Sequence, residues 1–253
     1  MPGNGRLRRF LNDLLFPLLG QRLCTICGRR LDTDEEELCT ACMEQLPLTH
    51  FHAAAGNPAE RLFWGHIPVV RANSLFHYHP QGAESHLVIR MKYQRSPATA
   101  RSLGRLMALD AAPTGFFTGI DTIVPVPLAA TRERQRGYNQ SERLARGIAD
   151  VAGLPVETGA VCRRGSAISQ TQLHGAERRA NVKDVFQLVD AARVAGRHLL
   201  LVDDVLTTGS TLLSLARTLQ AAGGVRFSIL TLAIAGEHFT VNDGGLPTTA
   251  SFD

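Results

Sequence analysis

The stretch LLLVDDVLTTGST at 199–211 constrains this chain more than any other. Leu199, Leu200, Leu201 and Val202 are apolar without alternation, the pattern of a strand buried on both faces of a parallel sheet. Asp203 and Asp204 stand at its carboxyl end, and a helix is expected over 210–222 with Leu212, Leu215, Leu219 and Ala222 on one stripe. Gly223 and Gly224 close that helix as a C-cap pair. Ligands of open α/β sheets bind outside the carboxyl ends of strands. There, Thr207, Thr208, Gly209, Ser210 and Thr211 offer backbone N–H groups and hydroxyls at a helix N-terminus, where a phosphate is favoured. Gly209 lets the backbone approach closely. A carboxylate near a phosphate repels it unless it faces something else. Asp203 and Asp204 accepting from two ribose hydroxyls, a sugar's length from the phosphate, fits that need. The plainer alternative is a strand end with an Asp turn and a hydroxyl cap. A cap needs one such residue, not two acids and a run of five small or hydroxyl-bearing positions.

The remainder alternates in the same manner. Strands are expected at 67–78, 120–126, 156–162 and 225–235, and helices at 85–93, 98–109 and 139–151. Apolar strands alternating with helices define an α/β fold with a mainly parallel sheet covered on both faces. The sequence shows no internal repeat. Its organisation reads as a basic amphipathic segment at 1–15, a cysteine-rich unit at 16–50, a linker at 51–66, the α/β domain at 67–236 and a disordered polar tail at 237–253. The amphipathic start has a superficial likeness to a secretory signal, but Asn12 and Asp13 interrupt its apolar run and no small-x-small cleavage site follows Pro17. A cytoplasmic protein with reduced thiols and no membrane span is therefore expected.

Cys24-x2-Cys27-x11-Cys39-x2-Cys42 places two CxxC knuckles in one short segment. Four thiolates so spaced wrap a tetrahedral Zn²⁺ and leave no open position, which makes the site structural. Two disulfides and an iron–sulfur cluster are the alternatives. Cys162 reads as a small buried hydrophobe rather than a nucleophile. His50 and His52 are not needed as ligands when four cysteines already satisfy the metal.

The 199–211 stretch resembles the fingerprint of type I phosphoribosyltransferases. Further segments narrow the resemblance: DTIVPVPL at 121–128, RQRGYNQS at 134–141, QTQL at 170–173 and ERRANVKDVF at 177–186. With the cysteine cluster ahead of them, they are similar to the ComF/GntX family over residues 16–235. That resemblance implies a type I phosphoribosyltransferase-like domain behind a small N-terminal zinc-binding ribbon. It implies that Asp203 and Asp204 hold the ribose of phosphoribosyl diphosphate (PRPP), and that Thr207, Thr208, Gly209, Ser210 and Thr211 hold its 5′-phosphate. The pyrophosphate loop would fall at Pro125, Val126, Pro127, Leu128 and Ala129. Arg163, Arg164 and Arg178 would come from the loop that covers the ligand, and Mg²⁺ would balance the leaving charge. The family is associated with DNA uptake in natural transformation and with the use of external DNA as a nutrient.

The formal net charge of +4 permits nucleic-acid binding without demanding it. The basic residues gather at the N-terminus and ribbon, at 132–136 and at 163–183. Aromatic residues make up only 6% of the chain and are scattered, so base stacking in a basic groove is weakly supported. Three functions remain open: phosphoribosyl transfer to an unidentified acceptor, PRPP or nucleotide sensing without turnover, and a single-stranded-DNA module working with DNA-uptake proteins. No residue stands out as a general base.

Overall fold

The computed structural model describes residues 22–93, 96–164 and 185–236. The segments at 1–15 and 237–253, Arg178 and most of the 170–186 stretch lie outside these residues. Four strands form the main sheet: β1 (Val69–His77), β2 (Thr122–Pro125), β5 (His198–Leu206) and β6 (Arg226–Ile234), in the order β1-β6-β5-β2. All its pairings are parallel. The alternation of strand side chains divides the core in two. Leu200 and Val202 point to the layer holding Leu103, Met107, Leu144 and Ile148, whereas Leu199 and Leu201 meet Leu212, Leu215 and Leu219. The unbroken apolar run at 199–202 is thus explained by helices on both faces.

One face carries α4 (Pro97–Ala111) and α6 (Gln140–Ala152), and the other carries α7 (Ser210–Gln220). Helix α6 starts at an Asn139 side chain that accepts from the Ser141 amide, and stops at Gly153 in the left-handed region. Helices α4 and α6 touch through their backbones. A Cβ on Gly104 would lie 2.1 Å from the Leu144 carbonyl oxygen, and one on Gly147 2.0 Å from that of Arg101. Alanine is the better helix former, but here it forces the helices apart. Gly104→Ala is expected to destabilise the fold by about 1–3 kcal/mol, read as a lower urea midpoint with unchanged slope. A midpoint at or above that of the parent protein would show that the helices separate freely.

The cysteine unit packs directly on this body. Leu23 bridges Arg30, α1 (Thr40–Glu44) follows, and Leu31, Leu38 and Leu46 continue the apolar layer that contains Leu103. Arg105 of α4 pairs with Glu36 at 3.2 Å. The chain then runs along the free edge of β1: the His77 amide donates to the Pro47 carbonyl at 2.8 Å and the Thr49 amide to that of Leu75 at 3.0 Å. The 51–66 stretch, a linker by composition, is folded and packed. It contains α2 (Pro58–Arg61), capped by Asn57, and fully buried Phe63, whose ring lies 3.2 Å from the position of a Cβ on Gly209.

Two expectations about elements need correction. The stretch at 156–162 is not one strand of the main sheet. Val156 makes an isolated bridge to Ile123, and β3 (Val161–Arg163) pairs antiparallel with β4 (Phe186–Leu188) in a separate sheet. The break comes at Glu157, whose carboxylate accepts from the amides of Gly159 and Ala160 and turns the chain. Strand β5 also runs beyond Val202 to Leu206, so the two acids sit within its last turns of pleat rather than after it. Helices α3 (Ser85–Tyr93) and α5 (Ala130–Arg136) complete the body, α5 being a short basic helix that apolar periodicity does not reveal.

Candidate functional site

Strands β2 and β5 end side by side: Pro125 pairs with Val202, and the Val126 amide donates to the Val202 carbonyl at 2.9 Å. The Pro125–Ala129 connection and the loop after Leu206 therefore open onto one edge of the sheet. At Gly209 the backbone takes φ 73, the left-handed conformation, and turns Thr207 and Thr208 outward before the first turn of α7. Thr207, Thr208, Ser210 and Thr211 are exposed, with the Thr208 hydroxyl donating to Ser210 Oγ at 3.2 Å. A small recess is bounded by Asp203, Thr207, Gly209, Ser210 and Thr211. The sequence thus places a helix N-terminus, exposed hydroxyls and a carboxylate around one concavity.

Each acid has its own partner. Asp203 Oδ1 accepts from Ser141 Oγ at 3.0 Å and from the Asp204 amide at 2.9 Å. Asp204 Oδ2 pairs with Lys92 Nζ at 3.1 Å. Burial, and after it the neighbouring Asp204 carboxylate, pushes the Asp203 carboxyl up to about 7. The Asp204 amide, the Ser141 hydroxyl and Lys92 oppose that shift.

Ser141 and Asn139 give the RGYNQS motif a physical role. The Asn139 side-chain amide donates to the Val126 carbonyl at 3.0 Å, and the Tyr138 hydroxyl donates to the Met91 carbonyl. Buried Tyr138 anchors the turn, Asn139 ties it to the loop after β2, and Ser141 ties it to Asp203. Lys92, Asn139 and Ser141 were not picked out as site residues by sequence reasoning. The motif around Asn139 and Ser141 was the available signal, whereas Lys92 gave none.

Beside Pro125, Pro127 and Leu128 opens a cleft of about 230 Å³ with Arg163 on one wall and Glu133, Glu142 and Glu157 on others. Arg163 lies over the Phe186 ring, 5.5 Å from its centroid. Burial and then Arg132 lower its basicity, and Asp203 opposes them, so the three groups share one electrostatic neighbourhood. Arg164 is exposed at the end of β3, its amide bonded to the Val185 carbonyl at 3.0 Å. The structure therefore brings 125–129, Arg163 and the 203–211 loop together and leaves Arg164 at the rim.

The cysteine sulfurs of Cys24, Cys27, Cys39 and Cys42 all lie within 4.8 Å of one another. All four are free thiols, and Cys27 Sγ and Cys39 Sγ are 3.7 Å apart, too far for a disulfide. The edge of a tetrahedron with metal–sulfur bonds of about 2.3 Å is about 3.8 Å. The cluster fits a metal such as zinc. The backbone of Cys42, and after it the Arg29 guanidinium, draws the Cys39 thiol down to about 6, toward the thiolate a metal needs. Glu35 braces the knuckle. It accepts from the amides of Asp32 and Thr40 at 2.9 and 2.7 Å and takes both arms of a contact with Arg29 Nη2 at 2.7 and 2.9 Å. Arg22 donates to the carbonyls of Glu35 and Asp32 at 3.0 and 2.8 Å. Arg22 and Arg29 thus hold the ribbon's own loop and are not a free basic surface.

Residues 114–243 match the phosphoribosyl transferase domain family. The chain is also 32% identical over 210 residues to DNA utilization protein YhgH of Escherichia coli strain K12, covering 82% of this chain and 88% of that one. The chain belongs to the ComF/GntX family. Competence protein F of Haemophilus influenzae is 30% identical over 228 residues, 84% of this chain and 96% of its own length. Among solved structures, glutamine PRPP amidotransferase from B. subtilis is similar with a TM-score of 0.36 and 23% identity. That match covers 53% of this chain and 26% of the amidotransferase, so the chain spans about a quarter of that protein's length. Adenine phosphoribosyltransferase from Saccharomyces cerevisiae matches with a TM-score of 0.33 and 16% identity, over 54% of this chain and 68% of the enzyme. The ComF/GntX chain has the family's parallel sheet with flanking helices and its cysteine cluster, and no helix among the described residues is long and apolar enough to cross a membrane.

Proposed function

We propose that this ComF/GntX-family protein binds PRPP with Mg²⁺ across the ends of β2 and β5, and that it serves DNA uptake or the use of external DNA. The observation that carries the reading is the pair of acids, Asp203 and Asp204, beside an open helix N-terminus and tied through Ser141 and Asn139 to the neighbouring loop. Asp203 and Asp204 take the ribose hydroxyls, and the amides and hydroxyls of 207–211 take the 5′-phosphate. The diphosphate extends toward 125–129, where Arg163 on the wall and Arg164 at the rim supply positive charge; Arg178, which the family resemblance adds to them, lies outside the described residues. Mg²⁺, when bound, offsets the charge of the diphosphate. The family relatives named for DNA utilization and competence support the biological setting. One Zn²⁺ in the four-thiolate ribbon is structural, and a reducing cytoplasm keeps its ligands available. Titration calorimetry with PRPP and Mg²⁺ tests the reading, and no heat of binding would refute it. With binding established, pyrophosphate release on adding an acceptor identifies a transferase. Binding without release identifies a PRPP sensor.

A second reading, single-stranded-DNA binding at the same mouth, is favoured by Tyr93. The residue is 70% exposed, and Arg136 lies over its ring, 5.8 Å from the centroid. Arg132 and Arg134 are exposed on the same short helix. If these residues engage a strand, affinity falls with salt at a slope of about −0.7 per phosphate neutralised, and Arg132→Ala with Arg134→Ala shallows it by about 1.4. Fluorescence anisotropy with no complex at low salt excludes this reading.

A further inference from the structure

We propose that His50, His52 and Asp110 form a second metal site, which takes a divalent transition cation such as Zn²⁺ between the ribbon's exit and helix α4. One ligating atom from each residue lies within 4.8 Å of the other two. His52 Nδ1 and Asp110 Oδ2 stand 3.0 Å apart, yet Nδ1 is buried and has no hydrogen-bond partner. A buried ring nitrogen this near a carboxylate, without hydrogen-bond alignment, directs its in-plane site elsewhere. Two donors each about 2.1 Å from one cation lie about 3.0 Å apart in octahedral geometry and about 3.4 Å apart in tetrahedral geometry. The observed spacing therefore suits a shared ion.

The electrostatics agree. Asp110 occupies the last turn of α4, where the helix carbonyls already make the potential negative and disfavour a carboxylate. A cation at this point reverses the sign of that interaction. His50, exposed, holds the only positive φ outside glycine among the described residues, 54°. Histidine is among the few side chains that this conformation admits, so the turn presents an imidazole without needing glycine.

The donor set names the class of ion. Two imidazoles and one carboxylate suit a first-row transition ion such as Zn²⁺ or Fe²⁺, whereas Mg²⁺ and Ca²⁺ are taken by oxygen ligands. Three protein ligands leave a position for water, and the exposure of His50 lets the ion exchange with solvent. Helix α4 already meets the ribbon through Arg105 and Glu36. An ion on Asp110 ties the chain leaving the ribbon to the same helix, a helix length of about 20 Å from Pro97 at its start. It is a clamp between ribbon and body, separate from the four-thiolate centre and from the acids at Asp203 and Asp204.

The test uses the full chain after brief chelator washing that leaves the thiolate-held metal in place. Calorimetric titration with Zn²⁺ is expected to show one further equivalent at micromolar affinity, together with a rise in melting temperature. His50→Asn keeps a residue tolerant of positive φ and alters only an exposed side chain. Asp110→Asn keeps the shape of the carboxylate. Each is expected to weaken the added equivalent at least tenfold and to abolish the thermal shift, while sulfur-bound metal stays at the parent level. Absence of a further equivalent, or unchanged affinity in both variants, overturns the proposal.

Discussion

Cys39→Ser is expected to remove one metal equivalent per chain and to unfold the ribbon. Structural zinc contributes on the order of 10–16 kcal/mol to the folding of small zinc units, far more than so short a segment gains from its apolar contacts. Cys39 is 1% exposed, and its amide donates to Cys24 Sγ at 3.4 Å, so its loss strikes both knuckles. The damage is not confined to the ribbon. Leu31, Leu38 and Leu46 belong to the layer that continues to Leu103 of α4, and their release exposes part of the main core. A lower melting temperature for the whole protein should accompany the metal loss, with new protease cleavage between 22 and 46. Cys162→Ser is the control. It removes a buried sulfur outside the cluster and leaves the metal content unchanged. Elemental analysis of protein prepared without added metal decides the matter. A parent protein with four reactive thiols and no thiolate-bound metal would falsify the zinc assignment.

Asp203→Asn with Asp204→Asn is expected to abolish PRPP binding without loss of stability. Each ionised acceptor contributes about 1.5–3 kcal/mol to a hydrogen bond from ribose, so losing both costs about 3–6 kcal/mol, roughly a hundredfold to ten-thousandfold in affinity. The fold should tolerate the change because burial and the adjacent acid already disfavour the charge on Asp203. A raised carboxyl disfavours the ionised native state as pH rises through about 7, and the amide removes that cost. Lys92 loses its partner, but it is 21% exposed and retains access to water. The same shift makes binding pH-dependent in a stated direction. If ribose requires ionised Asp203, affinity should rise about tenfold from one unit below to one unit above a pKa of about 7. Gly209→Val is the companion variant, because φ 73 is strained for a β-branched residue and its Cβ would meet the Phe63 ring at 3.2 Å. Circular dichroism first establishes that the variants are folded. Parent-like PRPP affinity in the double variant would show that the two acids do not hold the ribose.

The chain's own order of residues determined the class of fold, the loop and the thiol cluster, because each is a local pattern. An apolar run such as Leu199–Leu200–Leu201–Val202 must be buried on both sides, a glycine between hydroxyl residues permits one tight turn, and two CxxC pairs eleven residues apart are close enough in the chain to share one metal. The correction at 156–162 marks where local pattern ends. The apolar residues are present, but a carboxylate folding back on two amides outweighs their strand propensity. Relations across the chain were settled only by the tertiary structure. The ties from Ser141 to Asp203 and from Lys92 to Asp204 depend on strand order and on the rotation of helices that have no local constraint on their azimuth. So do the backbone contacts at Gly104 and Gly147, where absence of a side chain matters only because another helix crosses there. Arg22 and Arg29 look in sequence like a basic surface, and folding turns them onto Glu35 and its loop. His52 and Asp110 lie on separate elements, and only the packing of the β1 edge against α4 brings them within reach of one ion. Covalent geometry and side-chain period act over a few residues. Distant pairs are chosen by the packing of whole elements, and the information for that choice is spread across both core layers.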